Sequence, residues 1–574
     1  MFTVQQDNIN FDDSYGEAQL PKPLNSLTHS LKCVENTRKR FAIPLICGVI
    51  ILQNISDFSV VSNMVWMVSL VSNSSWHLLQ CNRGNSSIPP MSQLSTAEGA
   101  TTTLCYYLLV AIFSIYGGYL GDTKLGRYRT IRLAVFLSMI GTAVYLALAL
   151  ILKSSTEDNH HGYKFLIYIF LAISIIVFGA GMGIHSANII PFGIEQFFDA
   201  PIEELSESEN YHRISKGIHL LYFAKNVGCF ITFSAISSIQ ENTWVIGFCL
   251  PLVCCLITAI PLLAGERFFV VNVPRGNMSS LFISVVKEGY KLSKVPDALS
   301  NIDLHFLDYA RKEYGGSFER EDVKAVKQMF ALAKILSIYM VYFMLYSQMH
   351  TTFYLQGLFL KTPQKFPFAG AEAINNLTIL IMIPLLIYKV YPWFIKWNSG
   401  PLSPFDKSQI GFALIALSMV VAGILEYYRI IYADPLFNSA IQVNLNFFSL
   451  IDVTINQSLE YYIRFPQYIL IAFSEVLVVI VALQLAYIEA PRQFKSAAMG
   501  IFYMFNALGT LLAVTSLMTI QIITYYANNG FGWICQDLNV GKLYKYFYLL
   551  CGCMIANMII LSLKKRSFEL LISH

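Results

Sequence analysis

Apolar residues in this chain fall in long unbroken runs, not at the three-to-four spacing of a surface helix. A helix that spans a bilayer needs about 20 mostly apolar residues. About twelve segments reach that length: 42–68, 98–120, 131–152, 164–189, 214–235, 243–263, 328–347, 371–391, 408–425, 466–489, 497–523 and 544–563. The longest internal polar stretch, about 265–325, divides them six and six. The pattern predicts an all-α polytopic membrane protein with twelve transmembrane helices in two six-helix halves. Its expected parts are a disordered cytosolic arm over 1–41, a first bundle over 42–263, a cytosolic linker over 264–327, a second bundle over 328–563 and a cytosolic tail over 564–574. In the linker, Leu281, Ile283, Val286, Tyr290 and Leu292 form an apolar stripe, so part of it is expected to be helical.

Charge sets the orientation. Short loops rich in Lys and Arg stay in the cytoplasm. Lys124, Arg127, Arg129 and Arg132 follow the second run, inside a turn that also carries Gly117, Gly118, Asp122 and Gly126. An even number of crossings puts these cations on one side with Arg38 to Arg40, Arg492, Lys495 and Lys564 to Arg566, so both termini are expected in the cytosol. The opposite loops carry glycosylation sequons at Asn73, Asn85 and Asn456. Asn54 and Asn376 also match the sequon, but inside apolar runs where it should be silent. Cys81 and Cys535 fall in the same non-cytosolic loops, where a disulfide between them is one option. Most other cysteines lie in apolar runs and read as small core residues.

Composition narrows the class. Of 574 residues, 55% are hydrophobic and 13% charged, against about 25% charged in a soluble domain. Mean hydropathy is +0.52, and the net charge of +4 is spread through loops, which argues against a nucleic-acid surface. Residues 1–40 are polar and show no cleavable signal peptide. No Gly-x-x-x-x-Gly-Lys phosphate loop, His-Glu-x-x-His zinc site or recognisable Ser/His/Asp set occurs. ATP-driven transport and enzyme readings therefore lack support, and no cofactor or metal is implied.

The turn from Gly117 to Ile131 resembles the loop between helices two and three of the proton-coupled oligopeptide transporters, a family within the major facilitator superfamily. An ordered set of further segments carries the same resemblance. It runs through Asn188-Ile-Ile-Pro-Phe-Gly-Ile-Glu-Gln196, Tyr222 with Asn226 and Gly228, Pro274-x-Gly276, and Gly315-Gly316-Ser317-Phe318. Gln348-Met-His-Thr-Thr352, Asn375 to Pro384 with Tyr391-Pro392, Phe465-Pro-Gln-Tyr468 with Glu475, and Ala490-Pro491 with Lys495-Ser496 complete it. The details most resemble the peptide/histidine transporter branch, associated with endolysosomal membranes. The resemblance implies the major facilitator fold and secondary transport of di- or tripeptides or histidine-like zwitterions by alternating access, with the site between halves near the midplane. Protons, the substrate and the lipid bilayer are the implied partners, in an endolysosomal or plasma membrane.

The chain also departs from the family. The E-x-x-E-R motif of the first helix would fall on Ile50, Gln53 and Asn54, so its three charges are missing, and residues 41–65 hold no charge but Asp57. The fourth-helix lysine aligns with Ser186, preceded by His185. Buried charges in a helix bundle cost several kcal/mol and persist mainly where they function. Those that remain are therefore the candidates. Glu475 matches the family glutamate expected to receive a peptide amino group. Lys225, near the face of Tyr222 and Asn226, either anchors a substrate carboxylate or pairs with Asp57; both readings stand. Gln348 and Asn375 are candidates for hydrogen bonds to substrate or for helix packing. Glu475, His350 and His185 are the proton-coupling candidates. Glu426 is expected at the luminal gate or an interface. The rival readings are an uncoupled facilitator and a transport-deficient sensor or adaptor scaffold.

Overall fold

Each long apolar run is helical wherever it is described, except for a short break in the seventh. The structure, a computed structural model, describes residues 22–61, 93–154, 157–197, 207–242, 244–265, 268–272, 278–294, 305–358, 360, 370–398, 402–433, 462–527, 532–534, 538 and 541–572. Lipid offers no partner to a bare N–H or C=O, so continuous helix is the conformation such runs must take.

The first set comprises α1 (Lys22–Val61), α2 (Gln93–Tyr119), α3 (Arg127–Ser154), α4 (Glu157–Glu195), α5 (Glu207–Ile231) and α6 (Trp244–Ala264). A polar connection follows, with α7 (Met278–Leu292) inside it. The second set comprises α8 (Arg320–Leu336) with α9 (Tyr339–Tyr346), then α10 (Gly370–Leu385) extended by α11 (Tyr391–Asn398), α12 (Pro404–Ala433), α13 (Phe465–Ile488), α14 (Lys495–Ala527) and α15 (Leu543–Leu563). A short α16 (Lys565–Ile572) ends the chain. Ten helices among the described residues are long and apolar enough to cross a membrane. The segment from α8 through Gly357, bent by 40° at Ser337–Ile338, makes an eleventh if it is one span. The remaining expected segment, 98–120, is also helical, as α2.

Within the first set α3 packs on α4 and α6, α2 on α4, and α1 on α5 and α6. Within the second, α12 packs on α13 and α15, α10 on α13, and α9 on α14. The sets meet through α2 with α14, α4 with α14, α5 with α10 and α5 with α13. Small residues set the approach. A Cβ on Gly118 of α2 would lie 2.8 Å from the Ala497 Cα of α14, so only glycine allows this crossing.

The connection is ordered by ion pairs. Asp308 binds Arg311 at 2.7 Å and Lys327 at 2.8 Å, and Gly315 turns the chain with φ 89°. The face of α7 against it is Leu281, Phe282, Val285 and Val286. The expected stripe is thus only partly correct: Ile283 and Tyr290 point outward. Leu281 and Val286 pack as expected, and Phe282 and Val285, instead of Ile283 and Tyr290, complete the cluster with Phe306 and Leu307. In α16, Phe568 is fully buried against Phe405 of α12, 5.8 Å between ring centres.

Candidate functional site

Glu475 lies mid-way along α13, the most enclosed helix of the bundle. A buried carboxylate is tolerable only when donors surround it. The Tyr222 hydroxyl of α5 donates to one oxygen. The Asn375 Nδ2 of α10 donates to the other at 3.1 Å. The Tyr346 hydroxyl of α9 faces the same carboxylate. Helices from both sets therefore converge on one acid, and charge-assisted hydrogen bonds of this kind are the strong ones.

Lys225 stands one turn from Tyr222 on α5, half-buried, with its Nζ 5.7 Å from the Tyr222 ring centre. Its electrostatic neighbours are Tyr503 of α14, Cys229 one turn along α5, Glu475 of α13 and Asp57 of α1. No carboxylate among the described residues forms a direct ion pair with it. Asp57 instead accepts from the Gln53 side chain of its own helix at 2.9 Å. The direct Asp57–Lys225 pair is therefore not formed in this conformation. The positions that would carry the first-helix charges are likewise spent locally: Gln53 on Asp57, and Asn54 on the Ile50 carbonyl at 2.8 Å.

Asn226 caps the Tyr222 carbonyl at 2.8 Å. Gln348 turns away from Glu475. Its Nε2 donates to the Met344 carbonyl at 3.0 Å, its Oε1 accepts from Thr352 at 2.8 Å, and it neighbours Tyr546 of α15. The break of the helix into a tight turn over Ser347–His350 gives it these local partners. His185 is buried on α4 and, among the described residues, has no partner for Nε2 and no charged neighbour, so it is not part of the Glu475 group. His219 bonds the Ser215 carbonyl through Nδ1 at 2.7 Å and meets the edge of Tyr391. His350 Nδ1 lies 3.1 Å from Glu372 Oε2 at the start of α10. Sequence reasoning missed Glu372. It falls at the edge of an apolar run, where an acid reads as an exposed flank, yet it is buried. Glu426 is fully buried, held by Arg429 at 2.8 Å and Gln356 at 3.0 Å. It braces helices within the second set.

The turn with the cations forms a second cluster at the basic end of the bundle. Arg127 binds Asp122 at 2.8 Å and Ser496 at 2.8 Å, and also pairs with Glu195. The free oxygen of Asp122 accepts from the Ala497 N–H at 2.8 Å. The ends of α2, α3, α4 and α14 are thus tied together, with Gly126 at φ 78° making the turn possible. Gln484 of α13 adds a bond to Ser215 of α5 at 2.9 Å. Between α13 and α14, burial pushes the Glu489 carboxyl up to about 7, with Lys495 opposing it. Asn73, Asn85, Asn456, Cys81 and Cys535 lie outside the described residues. Asn54 and Asn376 are buried in helices, where glycosylation has no access.

Comparison with known proteins gives the same outline. The family model described as "POT family" matches residues 128–534. Solute carrier family 15 member 3 of Rattus norvegicus is 24% identical over 504 residues, covering 78% of this chain and 80% of that protein. Peptide transporter PTR_B of Candidozyma auris is 25% identical over 467 residues, covering 79% and 76%. Among solved structures, the POT family transporter PepTSo superposes with a TM-score of 0.62 at 17% identity, covering 92% of this chain and 98% of that one. The fold is therefore shared, and it is the multi-pass major facilitator architecture that the resemblance implied.

Proposed function

The chain belongs to the POT family, and from that premise we propose that it moves di- or tripeptides, or histidine-like zwitterions, across a membrane by alternating access. The observation that carries the proposal is the buried Glu475, served by Tyr222 and Asn375 from different helices, with the cation of Lys225 beside it, in direct ion pair with no carboxylate among the described residues. A zwitterion offers the complement: an ammonium for Glu475 and a carboxylate for Lys225. The two charges sit where the helix sets meet, so a ligand between them feels any relative movement of the sets.

Peptide transport in the relatives supports this reading, since the C. auris relative is named a peptide transporter. In our reading the turn with the cations and both termini face the cytosol, residues 42–263 and 328–563 are the two moving bundles, and the membrane is endolysosomal or plasma. The Asp122–Arg127–Glu195–Ser496 cluster then closes the cytosolic end, and its release opens it. Proton coupling runs through Glu475 with a histidine, and His350 is better placed than the isolated His185. The loss of the three motif charges from the first helix, whose positions fall on Ile50, Gln53 and Asn54, favours a second reading, an uncoupled facilitator.

Uptake of a labelled dipeptide and of labelled histidine into proteoliposomes, with and without an inward proton gradient, tests the proposal. Gradient-stimulated uptake supports the coupled transporter. Gradient-independent uptake supports the facilitator. No uptake of either by folded protein removes the peptide reading and favours a sensor or scaffold.

A further inference from the structure

At the end of the bundle remote from Arg127, His350 and Glu372 bring an imidazole and a carboxylate together between two helices. The Nδ1–Oε2 distance is 3.1 Å, a close charge contact, and among the described residues that buried oxygen makes no well-aligned hydrogen bond. Glu372 sits in the first turn of α10, and His350 closes the tight turn that ends the α9 segment. The pair is packed from several sides. Phe233, just beyond α5, stacks on the His350 ring at 6.5 Å between centres, and Tyr346 meets its edge at 6.1 Å. Ala373 packs with Cys229 and Phe233. The polar groups facing the pair are Tyr107 of α2, Cys229 of α5, and Glu475 of α13, which lies within electrostatic reach of His350. The described residues place no Lys or Arg in direct contact with Glu372.

This arrangement has two charge states of very different cost. With a proton on the imidazole, the pair is an imidazolium held by a carboxylate, with no net charge. Without it, a buried carboxylate faces a neutral ring, and an unpaired charge in a membrane bundle costs several kcal/mol. The neutral pair fits the packed state in which Phe233 of the first set covers His350. The bare anion favours separation of α5 from α10, which lets water reach Glu372.

We propose that His350 and Glu372 together form the proton-binding site of this transporter, replacing the missing first-helix acids and gating the end of the bundle remote from Arg127. The inference rests on the peptide-transport reading and deepens it. A proton enters from water at that end, bonds to the imidazole nitrogen, and leaves it when the opposite end opens. The field of Glu475 links this site to the ligand: an ammonium bound at Glu475 removes a negative charge from the surroundings of His350 and eases release of its proton.

The test has two independent readouts. In proteoliposomes, the ratio of dipeptide uptake with and without an inward proton gradient is measured for the wild type, His350→Gln, Glu372→Gln and Glu372→Asp. The proposal expects the gradient stimulation to vanish in the first two variants and to return in part in Glu372→Asp, which keeps the charge. Full stimulation in both glutamine variants overturns it. The second readout needs no transport: the melting temperature of purified protein in detergent between pH 5 and 8, for both single variants and the double variant. A shared site predicts that each single substitution removes the same pH-dependent component and that the second removes no more. Separate, additive effects, or a wild-type profile unchanged by either substitution, overturn it. A wild type that moves no peptide yet shows the shared pH component removes the transport reading and leaves the proton site standing.

Discussion

The Tyr222 hydroxyl of α5 donates a hydrogen bond to the Glu475 carboxylate of α13, joining a helix of the first set to one of the second mid-way along α13. This bond does two things. It satisfies one oxygen of a buried acid, and it holds that acid at the junction where the sets move against each other. Tyr222→Phe removes the donor and keeps the ring. A hydrogen bond lost from a buried polar group costs about 1–3 kcal/mol. The melting temperature of the variant should fall by a few degrees, and its dipeptide half-saturation should rise about tenfold as Glu475 loses its orientation. Thermal melts and uptake kinetics on the same preparation measure both.

Lys225 carries the complementary prediction. If its ammonium receives the substrate carboxylate, Lys225→Met weakens binding of a dipeptide with a free carboxyl terminus by about 10- to 100-fold, the range expected for a charge-assisted hydrogen bond. The same peptide amidated at its carboxyl terminus should bind the wild type and the variant alike. Equal loss for both peptides would place Lys225 in packing instead of recognition.

The basic end depends on close approach. A Cβ at Gly118 meets the Ser496–Ala497 backbone, with the Ala497 Cα only 2.8 Å away. Backbone cannot swing aside as a flexible side chain can. Gly118→Val should therefore keep α2 and α14 apart and break the Asp122–Ala497 bond. Ser215→Cys, at the position that meets Gln484, should then label faster with a polar thiol reagent in the Gly118→Val background than with Gly118 in place.

Glu489 gives a pH signature of stability. Its carboxyl is pushed from 4.5 up to about 7 by burial, so the folded state holds the proton more tightly than the unfolded chain. Stability from this group is therefore full below about 4.5, falls as pH rises, and is lost above about 7. Glu489→Gln should flatten the fall in melting temperature across that window. Its own proton alone is involved, so the His350–Glu372 component remains in the variant.

Much of this was legible in the sequence, for reasons that differ by element. The spans were readable because lipid demands about 20 apolar residues in a row, and α12, α13 and α15 satisfy that rule with few charges. Helix α5 was readable despite His212, Arg213, Lys216 and Lys225 because its apolar core remains long. The segment holding α8 and α9 was not fully readable: expected over 328–347, it extends from Arg320 past Tyr346 and bends at Ser337–Ile338, where no proline or glycine signals a break. Side-chain direction was less accessible still. Glu475, Tyr222 and Asn375 converge, while Gln348 turns back onto its own helix, and only the packing of neighbouring helices decides between those outcomes. Glu372 escaped notice because an acid at the edge of an apolar run looks solvent-exposed, whereas the packing of Ala373 with Cys229 and Phe233 covers it.

The measurement that bears most directly on the central claim is peptide counterflow with Glu475→Gln. Proteoliposomes loaded with unlabelled dipeptide are placed in trace labelled dipeptide without any ion gradient. The account predicts accumulation of label by the wild type and its loss in Glu475→Gln, which keeps the side-chain volume but removes the charge that receives the amino group. A folded Glu475→Gln protein that exchanges peptide at the wild-type rate, or a folded wild type that exchanges none, would contradict it.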